Sequence, residues 1–233
     1  MASATNAINA TLYADLKFNF IRDSASVATI NRIPIVLEVH PLFPSRTVPE
    51  LIVYAKSNPG KITLGTGTKG VGPNMAAELF KMMTHLDILH VPYRGSSAIY
   101  PDLMTGKVHV LFDNLPGSVE FVKTGKLKAL AVTTAKRSAV FPDLPTVAET
   151  VPGFQAFSWN GLVVRTGTPS AIVEKVGREF ASAVQQPQAK EALARILMEP
   201  VGSTPAEFAS LIREDAARWE RVVKAINLNP EQK

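Results

Sequence analysis

Two loop-to-helix junctions follow one another directly in this chain. A β-type run, Ile62 to Leu64, leads through the glycine-rich residues 65–70 into a helix, and Pro73 is typical of a helix first turn. A second unit has a strand from His90 to Tyr93, a short loop, and a helix from Ala98 to Met104. Helix N-termini carry unpaired N–H groups and about half a positive charge. Two of them at one cleft would attract a carboxylate or a phosphate.

An acidic residue follows the next strand. Residues Val108 to Phe112 predict a strand, and Asp113 and Asn114 stand at its carboxyl end. Ligands of open α/β sheets bind at that end of the strands. We therefore expect Asp113 to accept a hydrogen bond from a ligand hydroxyl or amine. The substitution Asp113→Ala is then expected to alter ligand choice more than folding.

The glycine-rich loop also allows a nucleotide reading. Residues Gly65 to Gly70 match the pattern G-x-G-x-x-G after a strand. That pattern calls for an acidic residue at the end of the following strand, where this chain has Tyr93 and Arg94. A cytoplasmic nucleotide-dependent α/β enzyme is therefore the alternative function.

The side chains that metal sites and covalent catalysis require are sparse. The chain has no cysteine, which excludes thiolate ligands and a cysteine nucleophile. The four histidines do not pair at metalloprotease spacing; they are His40, His85, His90 and His109. We predict no metal and no cofactor.

Composition indicates a globular protein. Of 233 residues 46% are hydrophobic and 19% are charged, and no apolar run approaches the length of a membrane span. The net charge is +5, yet lysines and arginines are scattered and do not alternate with aromatic residues, so nucleic acid is not the expected partner. The first residues lack the basic and apolar regions of a secretory signal.

Two long β-type runs, residues 26–39 and 154–164, are predicted to cross between two lobes. The first contains Pro34, which marks a bend or a switch. The predicted lobes are residues 1–41 with 153–233, and residues 42–152. Between the crossings strand and helix patterns alternate, and residues 127–133 predict a strand of a covered parallel sheet. Three amphipathic helices follow, at residues 170–185, 188–197 and 205–226.

The amino-terminal segment predicts a helix without a preceding strand. Residues 3–13 read as a loop that enters a short helix. Because α/β proteins normally alternate the two elements, we expect a first lobe that lacks its first strand–helix unit.

Several long motifs resemble one family. They are VPYRGSSAIYPDLMTGKVHVLFDNLP, GKLKALAVTTAKRSAVFPDLPTVAE, SATNAINATLY near the start, and EPVGSTPAEFASLIREDAARWERVVKAI near the end. In this order they resemble the Bug-type substrate-binding proteins of tripartite tricarboxylate transporters, over nearly the whole chain.

The resemblance implies a two-lobed, type II periplasmic-binding-protein fold that captures a small di- or tricarboxylate between its lobes. It implies no enzymatic reaction. Delivery to membrane transporter subunits and a periplasmic location are implied as well, although a genuine start at Met1 would place the chain in the cytoplasm.

The resemblance also implies ligand-contacting residues. In the first lobe they are Ser3, Thr5 and Asn6. In the second lobe they are Gly70, Val71 and Asn74 in one loop, Tyr93, Gly95, Ser96 and Ala98 in the next, and Asp113. Two further candidates in the first of these loops come from the residue types alone: Thr68 offers a hydroxyl at a loop-to-helix junction, and Lys69 is a cation that departs from the family pattern.

A remnant without function is the remaining alternative. If part of the first lobe is missing, apolar surface of its sheet and of the C-terminal helices is uncovered. Aggregation, or a dimer that covers this surface, is then expected.

Overall fold

The computed structural model describes residues 1–13, 16–139 and 141–228. Within these residues the strands are β1 (Ala2–Ser3), β2 (Ser24–Val39), β3 (Thr63–Thr66), β4 (Leu89–Pro92), β5 (Val110–Asn114), β6 (Lys128–Val132), β7 (Phe157–Arg165) and β8 (Glu199–Pro200). The helices are α1 (Ala4–Leu12), α2 (Phe20–Asp23), α3 (Val48–Ser57), α4 (Gly72–Thr84), α5 (Ser96–Met104), α6 (Leu115–Lys123), α7 (Ser170–Gln185), α8 (Pro187–Arg195) and α9 (Pro205–Ala225), with a 3-10 turn at Val147–Glu149. No helix of this part of the chain is both long and apolar enough to cross a membrane.

The chain divides into two compact units. Unit 1 consists of Met1–Ile33 and Ser158–Lys233, and unit 2 consists of Pro34–Phe157. The sequence predicted divisions after residues 41 and 152. In the structure the divisions fall after residues 33 and 157. The first falls immediately before Pro34, which lies inside the continuous strand β2.

Unit 1 is built on a small antiparallel sheet. Strand β1 pairs with β7, with Ala2 opposite Gly161, and β8 pairs with β2, with Asn31 opposite Pro200. Strand β1 corrects the expectation that no strand precedes the first helix. Two residues between a chain start and a helix are too few for periodicity to reveal, and only the pairing with β7 defines the strand.

The core of unit 1 centres on two aromatic side chains. Trp159 of β7 is fully buried and meets Phe208 of α9 edge to face, with ring centroids 5.2 Å apart. Helix α9 also buries Ile212, Trp219 and Val222 at helical spacing, and α1 packs against it. The apolar residues predicted for α7 are less covered, and Ile172 is 51% exposed.

Unit 2 contains a mixed sheet in the order β6-β2-β5-β3-β4. Strands β3, β4 and β5 are parallel, and the unit-2 part of β2 runs antiparallel to β5. Strand β6 pairs antiparallel with β2, which corrects the expectation of a parallel covered strand. The apolar residues of β6 indicate that both of its faces are buried. Burial does not distinguish a parallel strand from an antiparallel one.

The parallel strands place three helix starts at one edge of the sheet. Helices α4, α5 and α6 begin shortly after β3, β4 and β5 respectively. Phe80 of α4 packs against the sheet. Its ring centroid lies 5.6 Å from that of Phe112 of β5 and 6.1 Å from that of Phe154. Because parallel strands end at the same edge, we call this edge the carboxyl edge of unit 2.

Candidate functional site

The loops at the carboxyl edge are in contact with one another. A Cβ atom built on Gly67, after β3, would lie 3.6 Å from Cα of Gly95, at the start of α5. Ser96, the first residue of α5, donates from its hydroxyl to Asp113 Oδ1 at 2.8 Å. The structure thus joins the ends of β3, β4 and β5 into one surface.

The three helices at this edge begin without a side-chain cap. Their N-cap residues are Val71, Gly95 and Asn114, and no side chain of these residues accepts from the first turn. Helix α3 of the same unit is different, because Thr47 caps it by accepting from Glu50 N at 3.3 Å. Uncapped first turns keep backbone N–H groups for another acceptor, and their dipoles favour an anion.

Asp113 lies beneath this surface and is only 4% exposed. Its Oδ1 accepts from Ser96, and its Oδ2 accepts from the hydroxyl of Tyr100. Burial raises the pKa of this carboxyl, while the bonds from Tyr100 and Ser96 oppose the rise. Gly117 of α6 makes room, since a Cβ there would lie 3.1 Å from Asp113 Oδ2 and 2.9 Å from the Tyr100 hydroxyl.

Two asparagine oxygens at the same edge have no hydrogen-bond partner among the described residues. Asn74, in the first turn of α4, is 7% exposed, and within the described residues its Oδ1 makes no hydrogen bond. The same holds for Oδ1 of Asn114. A buried acceptor without a donor costs about 1–3 kcal/mol, so a ligand or water donor at these atoms would be stabilising.

The other predicted residues of unit 2 occupy different positions. Thr68 is exposed in the loop between β3 and α4, with Lys69, Gly70 and Val71 after it. Tyr93 donates from its hydroxyl to Asp102 Oδ2 at 2.7 Å. Ala98 is exposed in the first turn of α5.

The predicted residues of unit 1 form a helix cap. Ser3 is the N-cap of α1, and its backbone N–H donates to Asn6 Oδ1 at 2.8 Å. Thr5 lies between them and is half-buried. Capping accounts for the residue types at positions 3 and 6.

Two functional candidates escaped the sequence reasoning. Tyr100 lies four residues after Ser96 on α5, and this i, i+4 spacing on one helix face was the available signal. Glu38 of β2 is fully buried, and burial raises its pKa to about 8. Neither of its carboxyl oxygens has a hydrogen-bond partner in the described part of the chain, although Ser118 lies nearby. A lone carboxylate among apolar strand residues was its signal.

The glycine pattern has a packing role in part. A Cβ on Gly65 would lie 2.4 Å from Ile99 Cγ2, so this position allows α5 to pack on β3. Gly70 adopts φ +74, and α4 begins only at Gly72. Close packing at Gly65 and a turn at Gly70 therefore account for two glycines of the pattern without a bound phosphate.

His90 lies on β4 at the same side of the sheet as α4. Its Nε2 is 3.1 Å from Glu78 Oε1 and 2.5 Å from Lys81 Nζ. Burial lowers the pKa of His90 to about 4, and the charges of Lys81 and Lys69 lower it further. The imidazole is therefore neutral at pH 7.

This chain is similar to several known proteins, among them the following three. Protein BugT of Bordetella pertussis is 30% identical over 224 residues, which cover 96% of this chain and 69% of BugT. The R. palustris protein Rpa4515, solved with adipate, is 35% identical with a TM-score of 0.83, over 96% of this chain and 75% of that one. MatC of Rhodopseudomonas palustris, with bound malate, is 26% identical with a TM-score of 0.78, over 95% and 77% respectively.

The chain spans about two thirds of the length of the curated relatives it matches. The fold similarity confirms the predicted α/β fold of periplasmic binding proteins. The profile of one family, described as the tripartite tricarboxylate transporter family receptor, matches residues 1–228. The resemblance seen in the motifs is thus confirmed, and the protein belongs to the TctC family of tripartite tricarboxylate transporter receptors.

Proposed function

We propose that this protein is a solute-binding receptor that captures a small organic acid for a membrane transporter and catalyses no reaction. The observation that carries the proposal is the joining of three uncapped helix starts at the carboxyl edge of unit 2. A carboxylate placed there would accept from backbone N–H groups and lie at the positive ends of three dipoles.

The ligand class is a dicarboxylate or a related acid. Adipate and malate are the molecules bound to two solved relatives, and both carry two carboxylates. One carboxylate would occupy the helix starts, with the hydroxyls of Thr68 and Ser96 near it. The unpartnered Oδ1 atoms of Asn74 and Asn114 would accept from a ligand hydroxyl or a bridging water.

The remaining candidates have supporting roles. Lys69 adds positive charge to the loop before α4, while Gly70 and Val71 shape that loop. Gly95 and Ala98 leave space at the start of α5, and Asp113 orients Ser96. Tyr93 would act through its packing, since its hydroxyl is bonded to Asp102. Ser3, Thr5 and Asn6 in unit 1 are proposed as further ligand contacts.

The proposals for the partners and the location are supported by the family. We place the receptor in the periplasm, where it would deliver its ligand to the membrane subunits of a tripartite tricarboxylate transporter. Nucleic acid and membrane insertion have no part in this function.

The test is thermal unfolding of the purified chain with malate, adipate, citrate, glutamate or NADP in excess. A ligand that binds only the folded state raises the unfolding midpoint by mass action. At a hundredfold excess over Kd it adds about 2.7 kcal/mol to the free energy of unfolding. We expect a rise with at least one carboxylate and none with NADP. A rise with NADP alone would favour the nucleotide-dependent alternative, and no rise with any acid would favour the remnant.

Gly95→Ala locates the binding site. No atom lies within 4 Å of a Cβ at this position, and its φ of 165 is extended backbone that alanine adopts. The variant should therefore keep the midpoint of the free protein and lose most of the rise with ligand. The matched control is Thr105→Ala at the other end of α5, which should keep the full rise. An undiminished rise in Gly95→Ala would remove the site from the carboxyl edge.

We also propose a dimer through unit 1, with a second copy of this chain as the occupant. Unit 1 exposes several large apolar side chains, including Phe18 at 56%, Ile172 at 51% and Ile196 at 51%. Burying such residues against a second copy is favourable. We expect light scattering to give twice the chain mass, and Phe18→Ser with Ile172→Ser to restore the monomer. A monomeric wild type would reject the dimer and leave the receptor function intact.

A further inference from the structure

Unit 2 has a pocket at the edge of its sheet opposite the carboxyl edge. The cavity measures about 340 Å³, and its lining includes His40, Phe43, Tyr54, Lys61 and His109. We call it the amino-edge pocket, because His109 precedes β5 and Lys61 precedes β3 by two residues. Strand β5 has five residues, so about 17 Å of extended chain separates the pocket from the carboxyl edge.

Both imidazoles have one nitrogen fixed by the backbone. His109 Nδ1 accepts from the N–H of Thr63 at 3.1 Å, and His40 Nδ1 accepts from the N–H of Leu42 at 3.2 Å. A neutral imidazole that accepts at Nδ1 carries its proton on Nε2. Burial and the neighbouring His40 lower the pKa of His109, which favours this neutral form. The two rings therefore supply two Nε2–H donors.

The charge of the pocket has one sign. Lys61 is exposed at its edge, and the described residues that line the pocket include no carboxylate. Among the residues that the structure describes, no acidic side chain forms an ion pair with Lys61. With the hydroxyl of Tyr54, the lining offers an ammonium group and neutral donors, which is the complement of an anion.

The remaining wall is apolar and aromatic. Phe43 is 6% exposed, and its ring stands edge-on to Tyr54 at 5.2 Å and tilted against His109 at 5.7 Å. Ile62 is 2% exposed at the base, and Leu42 is 86% exposed at the rim. Apolar walls with a few convergent donors are the composition of small-molecule sites, and the volume lies in their range.

We infer that the amino-edge pocket binds a small organic carboxylate with an apolar body, as a second ligand site of unit 2. The carboxylate lies at Lys61 and the Nε2–H groups of His40 and His109, and the apolar body lies against Phe43 and Ile62. This inference does not depend on the proposed transport function, because its site shares no residue with the carboxyl edge.

The test uses sodium benzoate as the probe and NMR of the histidine rings as the measurement. Benzoate should shift the ring signals of His40 and His109 saturably, whereas His85 and His90 should stay unchanged. Acetate should bind more weakly, since it buries less apolar area. Lys61→Gln should weaken benzoate binding about tenfold, which is the loss of one charge-assisted hydrogen bond.

Two controls keep the inference falsifiable. Lys56→Gln removes an exposed lysine of α3 that does not line the pocket, and it should leave the affinity unchanged. Gly95→Ala should also leave it unchanged, because it alters only the carboxyl edge. The inference is overturned if neither ring shifts saturably, if Lys61→Gln binds benzoate as the wild type does, or if Gly95→Ala abolishes the shifts.

Discussion

Ser96 Oγ lies 2.8 Å from Asp113 Oδ1 and donates to it, which ties the first residue of α5 to the end of β5. Tyr100, one helical turn later, donates to the other oxygen of the same carboxylate. Asp113 therefore has a structural role at the carboxyl edge, in addition to any role in ligand choice.

Asp113→Ala should lower the free energy of unfolding by about 2–3 kcal/mol, because the buried Tyr100 hydroxyl loses its acceptor. This stability loss adds to the altered ligand choice that the sequence predicts. Urea unfolding at pH 7 measures it, with Ser97→Ala, an exposed neighbour of Ser96, as the control. Equal stability of the two variants would contradict the structural role of Asp113.

Glu38 should make stability depend on pH. Burial raises its pKa in the folded state to about 8, against 4.5 as the ordinary value. The folded state therefore binds more protons than the unfolded state within that window, and the free energy of unfolding falls as pH rises from about 4.5 to 8, by at most about 1.4 kcal/mol per pH unit. Glu38→Gln should flatten this slope.

Urea unfolding at several pH values between 5 and 8 measures the slope for both proteins. Asp113 and Asp215 also have pKa values raised by burial, so only the difference between wild type and variant reports Glu38. Ser118, Tyr100 and Asp113 are the groups that face Glu38. The exposed Glu120→Gln is the control, and an unchanged slope in Glu38→Gln would reject the assignment.

Asp215 of α9 should be a main source of stability in unit 1. Its Oδ2 accepts from Trp159 Nε1 at 2.6 Å, and its Oδ1 pairs with Arg218 at 2.6 Å. Asp215→Ala leaves a buried N–H and a partly buried guanidinium unpaired, so we expect a loss of about 3–5 kcal/mol. Trp159→Phe replaces the buried indole by a smaller phenyl ring and removes the N–H donor to Asp215. The unpaired carboxylate oxygen should cost about 1–3 kcal/mol, and the cavity adds to this loss.

Denaturant unfolding followed by circular dichroism ranks these variants, since it does not depend on the altered tryptophan. Glu214→Ala, at an exposed neighbouring position, should be close to the wild type. An Asp215→Ala protein as stable as Glu214→Ala would show that the buried pair contributes nothing.

Gly161 of β7 should tolerate no side chain. A Cβ at this position would lie 2.1 Å from Cζ of Phe208. Gly161→Ala forces the ring to move, and we expect a loss of about 1–3 kcal/mol. Adding Phe208→Leu should relieve the clash, so the double variant should lose less stability than the sum of the single losses. Additive losses would mean that the ring shifts without strain.

Local patterns predicted many elements well. The sequence placed α7 at residues 170–185, where the structure has it, and the helix predicted at residues 205–226 is α9, Pro205–Ala225. Helix starts at the carboxyl edge were predicted within about three residues, as for α5, which begins at Ser96. Periodicity, caps and turn residues act over a few positions, so they can be recognised from the sequence alone.

Pairing between residues far apart in the chain could not be predicted from the sequence. The partners of Asp113 and the burial of Glu38 depend on which strands lie side by side, and β2 brings Val36 opposite Asp113 across 77 positions of sequence. The same is true of β1, which exists only because β7 pairs with it.

The sequence by itself determined the family, the α/β alternation and the presence of helix starts suited to an anion. Its motifs, caps and apolar spacing are local, and a family match needs only residue order. Tertiary structure alone decided that Asp113 is held by Ser96 and Tyr100, that Glu38 is buried with no hydrogen-bond partner among the residues that the structure describes, and that the amino-edge pocket exists. These features arise from contacts between elements far apart in the chain, and burial and hydrogen bonding at such contacts are set only when the sheet assembles.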